Sequence, residues 1–341
     1  MAPTLTQVAK RAGVSLSTAS RAYSDPERLG PETLRKILAA AQELGYEAPA
    51  ARLVEAPARE SRMVGVVVPD VANPVFGAFV KAAQGEGWHY GQTVVLVDTD
   101  FTAEREREAI VRLRDRVDGL VICSPRLDAD TVLELCGRVP SVLVNREAAG
   151  ADCIVADASD GLRQAVDYLG ALGHRRMAYV QGSARSWSNA QRVALVEDLA
   201  EKAGIGVQVL GSQAETVEGG TAAAASVIAC GASAVIAHND LVALGVVAGV
   251  RALGVHVPND LSVIGIDNIP LATASAPALT TISVPMARAG SLALATLRRA
   301  TGRERPTPRT VRLSTQLVVR ASTGPAADRS ARPASIAQEL A

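Results

Sequence analysis

The chain has 341 residues, 48% of them hydrophobic and 21% charged, which supplies enough apolar material for two or three packed units and excludes a largely disordered protein. Lys plus Arg and Asp plus Glu each number 35, so no global charge draws the molecule to nucleic acid or membrane, and any such surface has to be local. Met1 leads into polar Thr4, Thr6 and Gln7 rather than an apolar leader, and no apolar run reaches a membrane span, so a cytoplasmic protein without a membrane partner is expected.

From Thr4 to Tyr46 apolar residues recur at helical spacing in TLTQVAKRA, LSTASRAY and PETLRKILAAAQELGY, which predicts three short helices and no strand over 1–46. Thr4 with Gln7 three residues on forms a capping box that starts the first helix near Leu5. Ala9 is small where a second helix crosses, Gly13 permits a left-handed turn, and Val14 plugs the corner. Ser15 is the expected cap of a second helix running to about Ala22. That helix turns Leu16, Ser17, Ser20 and Arg21 outward, while Thr18, Ala19 and Ala22 lie nearer the core. The first 24 residues carry Lys10, Arg11 and Arg21 and no acid, a local surface suited to phosphates. A helical hairpin of unrelated purpose fits the same local pattern.

Residues 47–62, EAPAARLVEAPARESR, are rich in Ala, Pro and charge and read as a linker. From Met63 the pattern changes. The runs VGVVVPD, TVVLVD, GLVICS, SVLVN, CIVAD, RMAYVQG, AVIAHND and LSVIGIDN each stop at a polar or turn residue, with amphipathic stretches between most of them. That alternation predicts a parallel α/β core over 63–323, and the runs fall into two sets, as two similar lobes produce. Residues 324–341 lack apolar periodicity and are expected to be a disordered tail. The four cysteines, Cys123, Cys136, Cys153 and Cys230, are scattered without CxxC pairs or adjacent histidines, which predicts reduced thiols rather than zinc ligands. No cofactor or metal is expected.

Ligands of open α/β sheets sit at the carboxyl ends of the strands, where these runs release Asp70 and Asn73, Asn145 and Arg146, Asn239 and Asp240, and Asp267 and Asn268. Such carboxylates and amides, with the donor fork of Arg192, suit a ligand carrying many hydroxyls. Phe76, Phe79 and Trp187, the last placed in the loop SARSWSN, are candidates to stack on a sugar face, with core packing the alternative for the two phenylalanines. A turn-capping role is the alternative for Asp70, and His174 and His238 read as structural. There is no G-x-G-x-x-G after the first strand, no phosphate-cradling loop ending in Gly-Lys, and no recognisable Ser-His-Asp or Cys-His set, so no enzyme is expected.

The string from Thr4 to Tyr46 resembles, almost end to end, the headpiece of the lactose-repressor family of bacterial regulators, T-x-x-D-V-A-x-x-A-G-V-S-x-x-T-V-S-R, and the remainder resembles that family's two-lobed, periplasmic-binding-protein-like core of type I. Gln7 stands for the usual Asp, Ala19 for Val, Gly30 for the Ser that caps the third helix, and Leu34 for a frequent Arg. The resemblance implies a helix-turn-helix headpiece that reads double-stranded operator DNA in the major groove. Leu16 and Ser17 then choose the operator, and Thr18, Ser20 and Arg21 match further contacts. The DNA-facing set is completed by Thr4, Leu5 and Thr6, by Ser15 and Ser24, and by Thr33. The family's linker carries Ala-Arg followed by a leucine wedge. Here Ala51 and Arg52 precede Leu53 and Val54, so one of those two would wedge into the minor groove, with a plain tether as the alternative.

In the core the resemblance makes Arg192, Asn239, Asp267 and Asn145 effector contacts, joined by Asp70, Asn73, Phe76 and Trp187 from the strand-end and aromatic reading. It further implies a homodimer on a palindromic operator and an effector, expected to be a carbohydrate, whose binding controls a repressor's hold on DNA. A sugar-binding module without DNA regulation would explain the two lobes and leave residues 4–46 without a purpose.

Overall fold

The computed structural model describes residues 3–24, 29–44, 46, 62–301 and 307–326. The chain divides into two compact units between Ser61 and Arg62. In the first, α1 (Leu5–Ala12), α2 (Leu16–Ser24) and α3 (Pro31–Glu43) bury Val8, Ala9, Ala19, Ala22, Ile37, Ala40 and Ala41 against one another. The small alanines let the helices approach closely, and Val14 packs against this core from the corner. Gln7 completes the capping box at the start of α1, its Oε1 accepting the Thr4 amide at 2.7 Å. Gly13 ends α1 with φ +69°, where an L side chain is strained. The second helix runs two residues past its expected end at Ala22. Leu53 and Val54 lie outside the described residues.

The second unit holds two lobes built alike. In chain order its elements are β1 (Arg62–Val68), α4 (Pro74–His89), β2 (Gln92–Asp98), α5 (Ala103–Arg114), β3 (Gly119–Cys123), α6 (Ala129–Cys136), β4 (Ser141–Val144) and β5 (Asp152–Asp157). There follow α7 (Ser159–Ala171), β6 (Arg176–Val180), α8 (Trp187–Ala203), β7 (Gly206–Leu210), α9 (Val217–Ala229), β8 (Ala234–Ala237), α10 (Asp240–Ala252), β9 (Ser262–Asp267) and α11 (Pro270–Ala274). Last come β10 (Thr280–Ser283), α12 (Met286–Ala300), β11 (Thr310–Ser314) and β12 (Gln316–Val318).

Lobe one is a parallel sheet in the order β11-β5-β4-β3-β1-β2, and lobe two has the order β12-β10-β9-β8-β6-β7, parallel except for the β10–β12 pair. The central strands β3 and β8 are buried along their whole length, as expected where helices cover both faces. The chain crosses between lobes after β5, after β10 and after β11, and α12, entered from lobe two, packs on α4 of lobe one. At that contact Gly290 faces the Phe79 carbonyl oxygen, which a Cβ would overlap.

All eight apolar runs form strands. A further strand, β7, has the alternating sequence GVQVL rather than a continuous apolar run, because an edge strand shows polar residues to solvent. The expected tail boundary is also corrected. The Gly324 amide donates to Ser262 Oγ at 3.0 Å and the Ala326 amide to Leu172 O at 2.9 Å, so lobe two continues to at least Ala326 because these backbone groups complete its edge. The four cysteines are free, and three of them are buried.

Candidate functional site

On the headpiece, α2 has one face fixed and one face offered. Ala19 and Ala22 are buried, Leu16 is 50% exposed, and Ser17, Ser20 and Arg21 are exposed beside it. The Ser15 Oγ accepts the Thr18 amide at 3.1 Å and lies 2.8 Å from Ser17 Oγ and 2.7 Å from Thr18 Oγ1, so a hydroxyl network sits at the helix start. Thr4 and Thr6 are exposed and Leu5 is half-buried at the start of α1, and Thr33 is half-buried in the first turn of α3. Ser24 lies in the last turn of α2. Arg11 is committed to an exposed ion pair with Glu43 at 2.6 Å. Leu34, where the family often carries Arg, packs on the headpiece core. Gly30 begins α3 without a side-chain cap, and Pro31 supplies the helical start instead.

In the second unit the strand ends of both lobes face a cleft of about 430 Å³. Six expected residues line it: Asn73, Phe76, Asn145, Arg192, Asn239 and Asp267. Asn73 and Asn239 also cap helices, their Oδ1 atoms accepting the Val75 amide at 3.1 Å and the Val242 amide at 2.8 Å. This dual use explains why amides follow these strands. Asn145 has φ +53°, and its carboxamide donates to Ser124 Oγ at 3.2 Å while accepting the Ala156 amide at 3.1 Å. The backbone at Asp267 is likewise in the positive region, with φ +124°, a conformation that collects at ligand sites. Among the described residues no group donates a hydrogen bond to the Asp267 carboxyl, and burial pushes its pKa well above the usual carboxylate range, against the pull of Arg192. Arg192 Nη1 donates to His238 O at 2.6 Å, which fixes the guanidinium beside that acid. Phe76, Val284 and Met286 supply apolar wall.

Two expected residues do not line the cleft. Asp70 Oδ1 accepts the Ala72 amide at 2.8 Å and so serves the turn after β1. Trp187 is the first residue of α8 rather than a loop residue, because Ser186 caps the helix there and accepts the Asn189 amide at 3.2 Å. Trp187 lines a separate cavity of about 450 Å³ together with Asp157, Gln191 and Arg312. Phe79 is fully buried in the core.

The sequence did not single out Ser124, Arg126, Glu215 or the rim serines Ser186 and Ser188, and it read His238 as structural. Arg126 follows β3 of lobe one, Glu215 follows β7 of lobe two, and they pair at 2.9 Å with side chains 2% and 5% exposed. Arg126 also sits over the Phe101 ring at 5.0 Å. Glu215 accepts the Ser183 amide at 3.3 Å and lies 3.6 Å from His238 Nε2. Burial alone would raise its pKa, yet these charges and the amide outweigh that and pull it down to about 2. Burial lowers the pKa of His238, with Glu215 opposing, so Arg126 is the cation that holds the carboxylate near neutral pH. No local motif marks such a pair, whose members are 89 residues apart.

A helix-turn-helix unit followed by two parallel-sheet lobes around a polar cleft defines a DNA-binding protein with a ligand-binding core. The family described as bacterial regulatory proteins, lacI family, matches residues 4–48, and the periplasmic binding protein-like domain matches residues 166–323. The HTH-type transcriptional regulator reg1 of Streptomyces lividans is 33% identical over 350 residues, covering 98% of this chain and 100% of the relative. The crystal structure of the Lac repressor dimer bound to operator and the anti-inducer ONPF superposes with a TM-score of 0.71 at 26% identity, covering 95% of this chain and 100% of that one. The complex of the transcriptional regulator CelR with cellobiose gives 0.70 at 26% identity, covering 94% and 99%. The chain belongs to the lacI family of bacterial regulatory proteins. It is an effector-controlled, DNA-binding transcriptional regulator. No helix among the described residues is long and apolar enough to cross a membrane.

Proposed function

We propose that this regulator is a cytoplasmic homodimeric repressor that reads a palindromic operator through α2 of each headpiece and is released by a carbohydrate bound in the cleft, without turning it over. Leu16, Ser17, Ser20 and Arg21 form the reading strip, Thr18 orients it, and Thr4, Leu5, Thr6, Ser15, Ser24 and Thr33 lie along the phosphates. Leu53 or Val54 is the minor-groove wedge. In the cleft Asp267 accepts from ligand hydroxyls, Arg192 and the amides of Asn145 and Asn239 pair with the others, and Phe76 covers an apolar sugar face.

The observation that carries the reading is the cleft itself. A carboxyl with no donor among the described residues stands beside a fixed guanidinium among carboxamides from both lobes, an arrangement that hydroxyl groups satisfy and a flat apolar molecule does not. The likeness to a regulator in complex with cellobiose supports the same class. Ligand held by both lobes favours one relative angle of the lobes, and through it one state of the DNA-binding units.

The test pairs thermal unfolding with DNA binding. A panel of sugars and nucleobases is scanned for stabilisation of the full chain, and each hit is added to the complex with a duplex from beside its own gene. The expected outcome is a sugar that both stabilises the protein and releases the duplex. Stabilisation by nucleobases alone would overturn the carbohydrate assignment, and tighter DNA binding with ligand would replace inducer by corepressor.

A further inference from the structure

Among the described residues, Arg126 is the arginine of the cleft lining that the reading above leaves without a ligand role. A guanidinium at the end of a strand in a ligand cleft is a ready partner for phosphate or carboxylate, presenting a fork of donors that matches either anion. Here two of the three nitrogens are already engaged, and Nε is buried without a hydrogen-bond partner among the described residues. Its Nη2 donates to Glu215 Oε2 at 2.9 Å across the lobes, and its Nη1 reaches Ser124 O at 3.4 Å. The carboxylate on Nη2 is itself held by the Ser183 amide and faces His238. An anionic group entering near Arg126 would have to expel this buried carboxylate, leaving it unpaired in a dry site, or bind beside it and beside Asp267.

We propose that Glu215 is a specificity-determining residue: by occupying the Arg126 guanidinium from the opposite lobe it excludes anionic ligands, so the effector admitted to the cleft is an uncharged polyhydroxyl molecule rather than its phosphorylated or carboxylated form. The class of ligand rests on the carbohydrate reading above, whereas the exclusion of anions does not. The low pKa of Glu215 agrees with a carboxylate kept charged and in place.

Calorimetric titration of the full chain at constant ionic strength tests this with inorganic phosphate as the first probe. The wild type is expected to show no phosphate site in the core, Glu215→Gln to gain one at least tenfold tighter than any wild-type binding, and the double variant Arg126→Gln/Glu215→Gln to lose the gain. The double variant also accounts for phosphate held by the basic headpiece. The second probes are D-ribose and D-glucose against D-ribose 5-phosphate and D-glucose 6-phosphate. For any sugar that binds, the wild type is expected to prefer the neutral form at least tenfold, and Glu215→Gln to narrow that preference.

Wild-type binding of a phosphorylated sugar as tight as its parent overturns the proposal, as does a folded Glu215→Gln that gains no phosphate. If the single variant fails to fold, the wild-type comparison decides. Should no sugar bind in either form while the phosphate titrations behave as expected, anion exclusion stands and the carbohydrate reading fails.

Discussion

Arg21 and Glu215 show how differently one charge behaves on a surface and in a cleft. Arg21 is exposed on the outer face of α2, and its value is realised only against DNA. Arg21→Ala is expected to weaken operator binding by about tenfold or more, the ~1–3 kcal/mol of a specific base or phosphate contact. A salt titration separates the two roles: loss of a phosphate contact lowers the salt slope by about one, whereas loss of a guanine contact relaxes sequence preference instead. Glu215 acts within the fold. Its pKa falls from 4.5 to about 2, so its contribution is complete above about pH 4.5 and is lost as the pH falls through about 2. Glu215→Gln is therefore expected to unfold more easily than the wild type at neutral pH, and the gap should close on acidification from about pH 4.5 towards 2. A gap independent of pH in denaturant melts would show that the ion pair contributes little.

At the scale of elements, two glycines meet different geometric demands, one of backbone conformation and one of space. Gly13 joins α1 to α2 at φ +69° with open space around it, so Gly13→Ala strains the backbone without a clash. The expected cost is about 1 kcal/mol in the headpiece transition, with reduced DNA affinity because the angle of the reading helix is set there. Gly290 lies where α12 crosses α4, and a Cβ there meets backbone that cannot rotate away. Gly290→Ala should force the helices apart at ~1–3 kcal/mol, read as a lower melting temperature of the core with the headpiece transition unchanged. The same contact joins lobe one to a helix entered from lobe two, so effector affinity is expected to drop with it.

For the whole molecule, the headpiece has a small alanine-rich core and the second unit a large one, and the two unfold in separate steps if they are energetically independent. Scanning calorimetry is expected to resolve a small low-temperature transition and a large one. A ligand at a hundred times its dissociation constant should add about 2.7 kcal/mol to the large transition alone. Effector that raised the headpiece transition equally in the absence of DNA would contradict separate units.

Periodicity and turn chemistry in the sequence determined the three helices of the headpiece, the outward strip on α2, and the alternation that yields two parallel sheets, because each depends on spacings of a few residues. The strand-end polar residues were legible for the same reason: Asn73, Asn145 and Asn239 follow strands, Asp267 ends one, and all four reach one cleft. Tertiary structure alone decided which side chains meet. It turned Asp70 into a turn cap, sent Trp187 to another cavity, and brought Arg126 and Glu215 together from opposite lobes. That pairing depends on how two sheets are set against each other by three crossings of the chain, a long-range arrangement that no local pattern encodes.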